Sequence, residues 1–442
     1  MVAPLRVGIA GLGTVGAEVV RQIRARADLL AARCGRELRL VGVCARSKAG
    51  KRALGLDGVH WIRDPLALAV HREVDCFVEL MGGAGDPALS CVEAALTSGK
   101  SVVTANKALL ARHGLRLARL AEKHGVALNF EAAAGAAIPV IRTLREGLAA
   151  TTVKRVYGIL NGTCNYILSR MEQEGRSFAD CLKDAQRLGY AEADPSFDVD
   201  GHDTAQKLAI LASLAFGGKV AQSAVHVEGI SSITPEDLRA AADLGYRVKL
   251  LGVAVRTDKG IEQRVHPTMI PISSAIAQVM GVTNALTIDG EGIDPITLVG
   301  PGAGGAATAC AVLSDIADVA RGLRVWPFGL PVTALGDVAR APMERHEGGY
   351  YIRLMARDFP GAVAAIASRL AEEKISIESI VQRHADVAAD VSMDAPVPVI
   401  PITPVILITY ATHEDGVRRA LAAVQRDKVI RGRPQVIRIE KN

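Results

Sequence analysis

Between residues 5 and 135, short apolar runs alternate with stretches of helical period; the runs are Leu5–Ala10, Leu38–Cys44, 74–80, Ser101–Thr104 and 126–130. That alternation predicts an α/β fold built on a parallel sheet. From 136 to 320 the pattern lengthens into helical stretches at 138–148, 164–188 and 204–216, then strand-like runs at 248–255 and 263–270. This part reads as α+β, with no second nucleotide turn evident in the pattern itself. A Pro- and Gly-rich linker, 326–349, precedes a new pattern: strand 350–356, helix 361–373, strand 376–382, strand 405–412, helix 413–424 and strand Gln435–Ile439. The order is β-α-β-β-α-β. The Pro-punctuated run 396–404 predicts a loop leading into an edge strand.

Composition narrows the class. A chain of 442 residues predicts three domains at about 150 residues each. With 49% hydrophobic and 22% charged residues it is a globular protein and not a disordered one. Aromatics are 4%, so Ala, Val, Ile and Leu must build the core, and stacking platforms for nucleic-acid bases are scarce. The net charge of +5 is spread among interspersed acids, which argues against nucleic-acid or membrane partners. The cysteines at 34, 44, 76, 91, 164, 181 and 310 show neither C-x-x-C pairs nor His-interleaved spacing. That pattern argues against zinc or a disulfide framework and favours a reducing compartment. The first residues run straight into a strand, and no window reaches the roughly 18 to 20 apolar residues of a membrane span. A cytoplasmic location is expected.

The first strand leads into Gly11-Leu-Gly13-Thr-Val-Gly16 and an amphipathic helix. In such a turn Gly11 permits the tight bend, Gly13 lets a pyrophosphate approach the backbone, and Gly16 allows close helix-to-strand packing. The helix N-terminus offers unpaired N–H groups to the phosphates. With a strand before it and a helix after it, the fingerprint predicts a Rossmann-type dinucleotide site. After the second strand comes Cys44-Ala45-Arg46-Ser47-Lys48, where an NAD-selective site carries an acid; the next acid is Asp57. Arg46, helped by Lys48, suits a 2′-phosphate, so NADP is the expected cofactor and NAD the alternative.

The densest chemistry lies between Gly189 and Leu208, with Glu192, Asp194, Asp198, Asp200, Asp203 and Lys207. A calcium loop aligned on Gly201 would put Lys207 where a bidentate Glu is needed, and that reading fails. Asp203 and Lys207 are four apart on one helical face and can pair. On an exposed helix that pair is worth a few tenths of a kcal/mol. Next to an acidic cluster suited to an ammonium-bearing substrate, and downstream of a dinucleotide site, the lysine becomes a candidate acid/base for hydride chemistry. Desolvation or a second cation would lower its pKa from about 10.4 towards that task. Lys107, following Val102-Val103-Thr104-Ala105-Asn106 at the carboxyl end of a predicted strand, is the candidate second cation.

With these residues in view, the chain resembles the homoserine dehydrogenases over essentially its whole length. The matching segments are GIAGLGTVG at 8–16, VVTANKALL at 102–110, residues 131–139, NGTCNYIL at 161–168, GYAEADPSFDVDGHDTAQKL at 189–208 and GPGAGGAAT at 300–308. The acidic segment is the most specific and the glycine fingerprint the least. The resemblance implies interconversion of homoserine and aspartate 4-semialdehyde, on the route to threonine, methionine and isoleucine. Lys207 then corresponds to the acid/base, with Asp203 orienting it and Lys107 between cofactor and substrate. Glu192 and Asp198 correspond to amino-group ligands, and Gly162, Thr163 and Tyr190 to further substrate contacts. Thr14, Val15, Arg46, Lys48, Thr104 and Lys107 would meet the cofactor, with Gly302 and Gly304 closing over it.

The resemblance also implies a monovalent cation site, usually sodium, mapping to Glu131, Ala134, Ala136 and Ile138. Ala134 and Ala136 replace Val and Gly, and Cys164 stands where the family carries Thr. The implied architecture is a Rossmann-type domain over 1–135, an α+β catalytic and dimerisation domain over 136–330, and a ferredoxin-like ACT domain over 345–442. The last implies feedback by threonine, and the family implies a homodimer or homotetramer. Two rival readings remain. An aldehyde dehydrogenase needs an activated Cys beside His, and none of the seven cysteines stands in such a turn. A non-catalytic NADP and amino-acid sensor would not need Lys107, Asp203 and Lys207 together.

Overall fold

The computed structural model describes residues 2–47, 54–382 and 401–440. Lys48 and most of the run 396–404 lie outside the described residues.

The first sheet has six parallel strands, β1 (Leu5–Ala10), β2 (Leu38–Cys44), β3 (His60–Trp61), β4 (Cys76–Glu79), β5 (Ser101–Thr104) and β6 (Leu128–Asn129), in the order β3-β2-β1-β4-β5-β6. Helices cover both faces, so β4 is buried along its whole length and reads as an unbroken apolar run. The strand order reverses beside β1, and the crevice at the carboxyl ends of β1 and β4 is where an open sheet of this kind takes its ligand. One helix of this layer arrives late in the chain. Helix Gly305–Arg321 packs on helix Thr14–Ala25, and its Ala309, Val312 and Ile316 share a core with Val7, Ile9 and Val20.

The second sheet is mixed. Its strands are β7 (Val153–Ile159), β8 (His226–Val227), β9 (Tyr246–Thr257), β10 (Gly260–Pro271), β11 (Thr283–Gly290), β12 (Ile296–Pro301), β13 (Glu347–Arg357), β14 (Ile377–Gln382), β15 (Ile402–Thr409), β16 (Thr412–His413) and β17 (Gln435–Ile439). The main path runs β12-β11-β7-β9-β10-β17-β13-β15-β14. The final strand of the chain is therefore a seam. β17 runs parallel to β10, Thr268 opposite Arg438, and antiparallel to β13, so the C-terminal strands continue the sheet that β7 to β12 form.

The C-terminal elements follow the expected β-α-β-β-α-β order, with strands arranged β17-β13-β15-β14 and helices Ala362–Glu372 and Glu414–Arg426 packed together. Tyr350, Ile352 and Leu354 face those helices, whereas Tyr351, Ile437 and Ile439 join the main core on the other face. The expected edge strand is an interior one. β15 lies between β13 and β14, with Pro404 opposite Met355, and β14 forms the edge.

Two helical expectations also change. The stretch 164–188 is two helices, Gly162–Glu174 and Phe178–Arg187, because Gly175 takes a left-handed φ of 64° and Ser177 caps the second helix. The stretch 138–148 is a short turn, Val140–Arg142, followed by a π-helical turn, Thr143–Gly147. Among the described residues no helix is long and apolar enough to cross a membrane.

Candidate active site

The glycine turn has the geometry its spacing implies. Gly11 adopts a φ of 99°, and a side chain there would strike the Leu80 carbonyl. A side chain at Gly16 would strike the carbonyl of Gly11, whereas Gly13 faces open space. Thr14, exposed, and Val15, half-buried, begin the helix that Gly13 caps. The turn borders a cleft of about 770 Å³ whose lining includes Gly11, Gly13, Arg46, Arg63 and Met81 and, among the described residues, no carboxylate. These features fit a dinucleotide. Arg63, on the loop after β3, escaped sequence reading because only the fold brings it beside Arg46.

Of the glycines at 302 and 304, the first packs against the Asn284 amide, which a side chain there would strike, and the second opens the helix that reaches the same turn. Gly304 caps helix Gly305–Arg321 with a φ of 112°, and a side chain at Gly305 would come within 2.9 Å of the Thr14 methyl. Two helix N-termini thus meet at one place, the arrangement that stabilises bound phosphate. Thr104 has another task. Its buried hydroxyl donates to Glu79 at 2.7 Å, and Glu79 accepts from the Met81 and Gly82 amides, which shapes the floor of the cleft.

Beneath this edge lies the lysine and carboxylate set. Asn106 caps helix Lys107–His124, accepting from the Leu109 amide, and places Lys107 at the first helical position. That helix packs against His202–Phe216, which carries Asp203 and Lys207. Lys107 Nζ lies 3.1 Å from Asp203 Oδ1. Lys207 Nζ donates to Asp203 Oδ2 at 2.9 Å and to the Leu160 carbonyl at 2.7 Å. Asn161 Nδ2 bridges Asp203 at 2.9 Å and Asp198 at 2.8 Å.

The pair expected to be ordinary on an exposed helix is buried here, Lys207 9% and Asp203 5% exposed. Burial opposes ionisation of Asp203, but the two ammonium groups and the Lys207 and Asn161 hydrogen bonds prevail and hold it well below the usual carboxylate range. Asp198 moves the other way. Burial and the neighbouring Asp203 charge raise its pKa, against Asn161 and the two lysines.

Asn161 was missed by sequence reading, although an Asn directly after a strand and before a helix is a cap signal, and it does cap Cys164. Gly162 is required by packing, since a side chain there would come within 2.6 Å of the Val282 carbonyl. The Thr163 hydroxyl donates to the Tyr190 carbonyl at 2.6 Å and so ties down the acidic loop. Glu192 and Tyr190 are exposed on that loop, and among the described residues Glu192 makes no ion pair.

Glu131 is buried, with one oxygen accepting from the Ile141 amide and the other from the Arg142 amide, each at 2.9 Å. Ala136 holds a φ of 50°, the left-handed region that favours glycine, and Ala134 and Ile138 are buried on either side of it. One carboxylate with backbone carbonyls is an all-oxygen set that suits a hard cation. All seven cysteines are unpaired. Burial pushes the Cys164 thiol far up, so it is no nucleophile.

A parallel dinucleotide fold with a lysine and carboxylate set under its open edge defines a nicotinamide-dependent oxidoreductase. The model described as "Homoserine dehydrogenase, NAD binding domain" matches residues 11–131, and that described as "Homoserine dehydrogenase" matches 139–317. A homoserine dehydrogenase of Pseudomonas aeruginosa is 42% identical over 444 residues, covering 99% of both chains. One from Neisseria gonorrhoeae is 41% identical over 428 residues, covering 96% of this chain and 95% of that one. The crystal structure of a homoserine dehydrogenase from Thiobacillus denitrificans superposes with a TM-score of 0.91 at 41% identity, covering 99% of each chain. The chain belongs to the homoserine dehydrogenase family, the NAD(P)-dependent oxidoreductases of that name.

Proposed function

We propose that the chain interconverts L-homoserine and L-aspartate 4-semialdehyde with NADP, and that Lys207 is the acid/base. NADP, when bound, exchanges hydride with the carbon that carries the substrate oxygen. The observation that carries the reading is the hydrogen bonding of Lys207. An ammonium has three N–H groups, and Leu160 and Asp203 take two, leaving the third for a substrate oxygen. In oxidation the neutral amine takes the hydroxyl proton at Nζ, and in reduction the ammonium returns it. Asp203 fixes both lysines through its two oxygens, and Lys107 adds positive charge where an alkoxide develops. Among the described residues no donor meets Asp198 Oδ2, which suits it to the substrate ammonium, with Glu192 assisting from the loop.

NADP in preference to NAD is supported by Arg46 and Arg63 in a cleft without a carboxylate lining. A sodium ion at Glu131 and the carbonyls of Ala134, Ala136 and Ile138 is supported by the buried acid and the left-handed turn. Threonine feedback is supported by a cleft of about 190 Å³ whose lining includes Arg357, Asp358, Phe359 and Gln382. The parts 1–135, 136–330 and 345–442 then serve cofactor, substrate and effector, with helix Gly305–Arg321 of the middle part returning to the cofactor layer. Assembly as a homodimer or homotetramer is supported by exposed Val282 and Val299 and is read by sedimentation. The unpaired thiols suit the cytoplasm. Lys207→Met tests the mechanism: homoserine oxidation should fall by about 10² to 10⁴ with NADPH binding retained. Turnover near the wild-type rate would refute it.

A further inference from the structure

We infer that Arg438 and Glu228 are positioning residues for substrate binding, the last strand of the chain gripping the segment on which the acidic substrate loop rests. This depends on the reading of Asp198 and Asp203 as substrate-site carboxylates and names what holds them. Arg438, 3% exposed, stands on β17 between the catalytic and C-terminal parts of the sheet. Its guanidinium makes two hydrogen bonds of 2.8 Å to Glu228, through Nη1 and Nη2. On its other side it makes two more to Glu414, at 2.9 and 2.7 Å, at the start of helix Glu414–Arg426. Two-pronged pairing fixes orientation as well as distance.

Glu228 belongs to a short span that touches the substrate loop directly. Its own amide donates to the Val265 carbonyl at 2.8 Å, and its carboxylate also meets His226 at 2.7 Å. One residue on, a side chain at Gly229 would come within 2.5 Å of the Val199 carbonyl and 2.7 Å of the Asp200 Cα. The Ile230 amide donates to the same Val199 carbonyl at 2.9 Å. Gly201, which caps the Asp203 and Lys207 helix at a φ of 88°, rests on Val227 and Val265, where a side chain would lie about 3 Å from both. Arg438 therefore reaches the backbone between Asp198 and Asp203 through a single packed layer. The grip comes from the C-terminal part, so displacement of β17 shifts the acidic loop, and occupancy of that loop bears on β17 in return.

Glu228→Gln and Arg438→Lys in the full chain test this. Glu228 is a third exposed and Arg438 keeps Glu414 as partner, so the first variant should fold. The Michaelis constant for homoserine should rise about tenfold, with the NADPH dissociation constant within about twofold of wild type. Amide exchange over 196–206 should quicken. Arg438→Lys, which keeps charge and loses the fork, should give an intermediate rise. A parallel loss of NADPH affinity would mark general loosening and overturn the assignment. Unchanged exchange over 196–206 in Glu228→Gln would overturn it whatever the substrate. If the substrate reading itself is wrong, Asp198→Asn and Asp203→Asn will leave homoserine kinetics at wild-type values while faster exchange in Glu228→Gln still upholds the link.

Discussion

Lys107 Nζ and Asp203 Oδ1 stand 3.1 Å apart, joining the first helix after β5 to the helix that carries Lys207. One carboxylate thereby serves two cations from different parts of the chain. Removing Lys107 should leave the fold intact, because its side chain is a third exposed. Lys107→Met is expected to lower kcat/KM for homoserine by about 10², with less effect on kcat than Lys207→Met. Initial rates of both variants, with a melting curve for each, check the order. Equal losses would mean the two lysines work as one unit.

The opposed shifts of Asp198 and Asp203 predict a pH signature. Asp203 stays ionised throughout the working range, so the acid limb of kcat/KM belongs to Asp198. It should lie above the ordinary value of about 3.9, because burial and Asp203 raise this group. Asp198→Asn should flatten that limb while lowering kcat/KM at neutral pH. Stability should respond with the opposite sign. An acid whose folded pKa is raised contributes stability fully present below its unfolded value and lost as pH rises through the folded one. The Asn variant is therefore expected to melt higher than wild type at neutral pH and equally at acid pH. A lower melting temperature at neutral pH would contradict the burial argument.

Arg46 and Arg63 flank one end of the dinucleotide cleft and both are exposed. A charge-assisted hydrogen bond to a 2′-phosphate is worth about 1.5 to 3 kcal/mol, or roughly 10- to 100-fold in affinity. Arg46→Ala should weaken NADP binding by that factor and leave NAD within about twofold. Arg63→Ala should do the same more weakly if its guanidinium reaches the 2′-phosphate, whereas stacking on the adenine that both nucleotides share would cost NAD and NADP alike, and calorimetric titration with each nucleotide separates the cases. Equal losses for both nucleotides in Arg46→Ala would remove the NADP preference.

Much of the fold was legible because local chemistry determines it. Leu5–Ala10 and Leu38–Cys44 are apolar runs that stay apolar in any context, and Asp203 with Lys207 is a pair fixed by helical spacing. Strand β7 was not read, because Val153-Lys-Arg-Val-Tyr-Gly-Ile mixes charge with apolar residues, and its pairing with β9 and β11 decides its state. The break at Gly175 depends on a left-handed backbone that the surrounding helical period conceals. Asn161 was visible as a cap but not as the bridge between Asp198 and Asp203, since those acids lie 37 and 42 residues away. Arg438 and Glu228, 210 residues apart, leave no local trace at all.

Those distant contacts also forecast what happens when the C-terminal part is removed. A chain ending at 340 loses Arg438, Glu440, His346, Tyr351 and Arg353. Asp237, fully buried, would lose Arg353 and the Tyr351 hydroxyl, which approach it at 2.6 and 3.0 Å. Arg264 would lose Glu440 and Glu262 would lose His346, leaving those two paired, among the described residues, only with each other inside the same seam. Stranding a buried partner such as Asp237 costs about 3 to 5 kcal/mol, a large share of the total stability of a domain, about 5 to 15 kcal/mol. The truncated chain is therefore expected to be insoluble or to melt far below the full chain. It cannot report cleanly on threonine feedback. Arg357→Ala and Asp358→Ala, in the turn beside the small cleft and away from the seam, are the informative variants. They should lose threonine inhibition while keeping the wild-type melting temperature and homoserine kinetics. A soluble chain ending at 340, with wild-type affinity for homoserine, would show that the seam adds nothing to the substrate site.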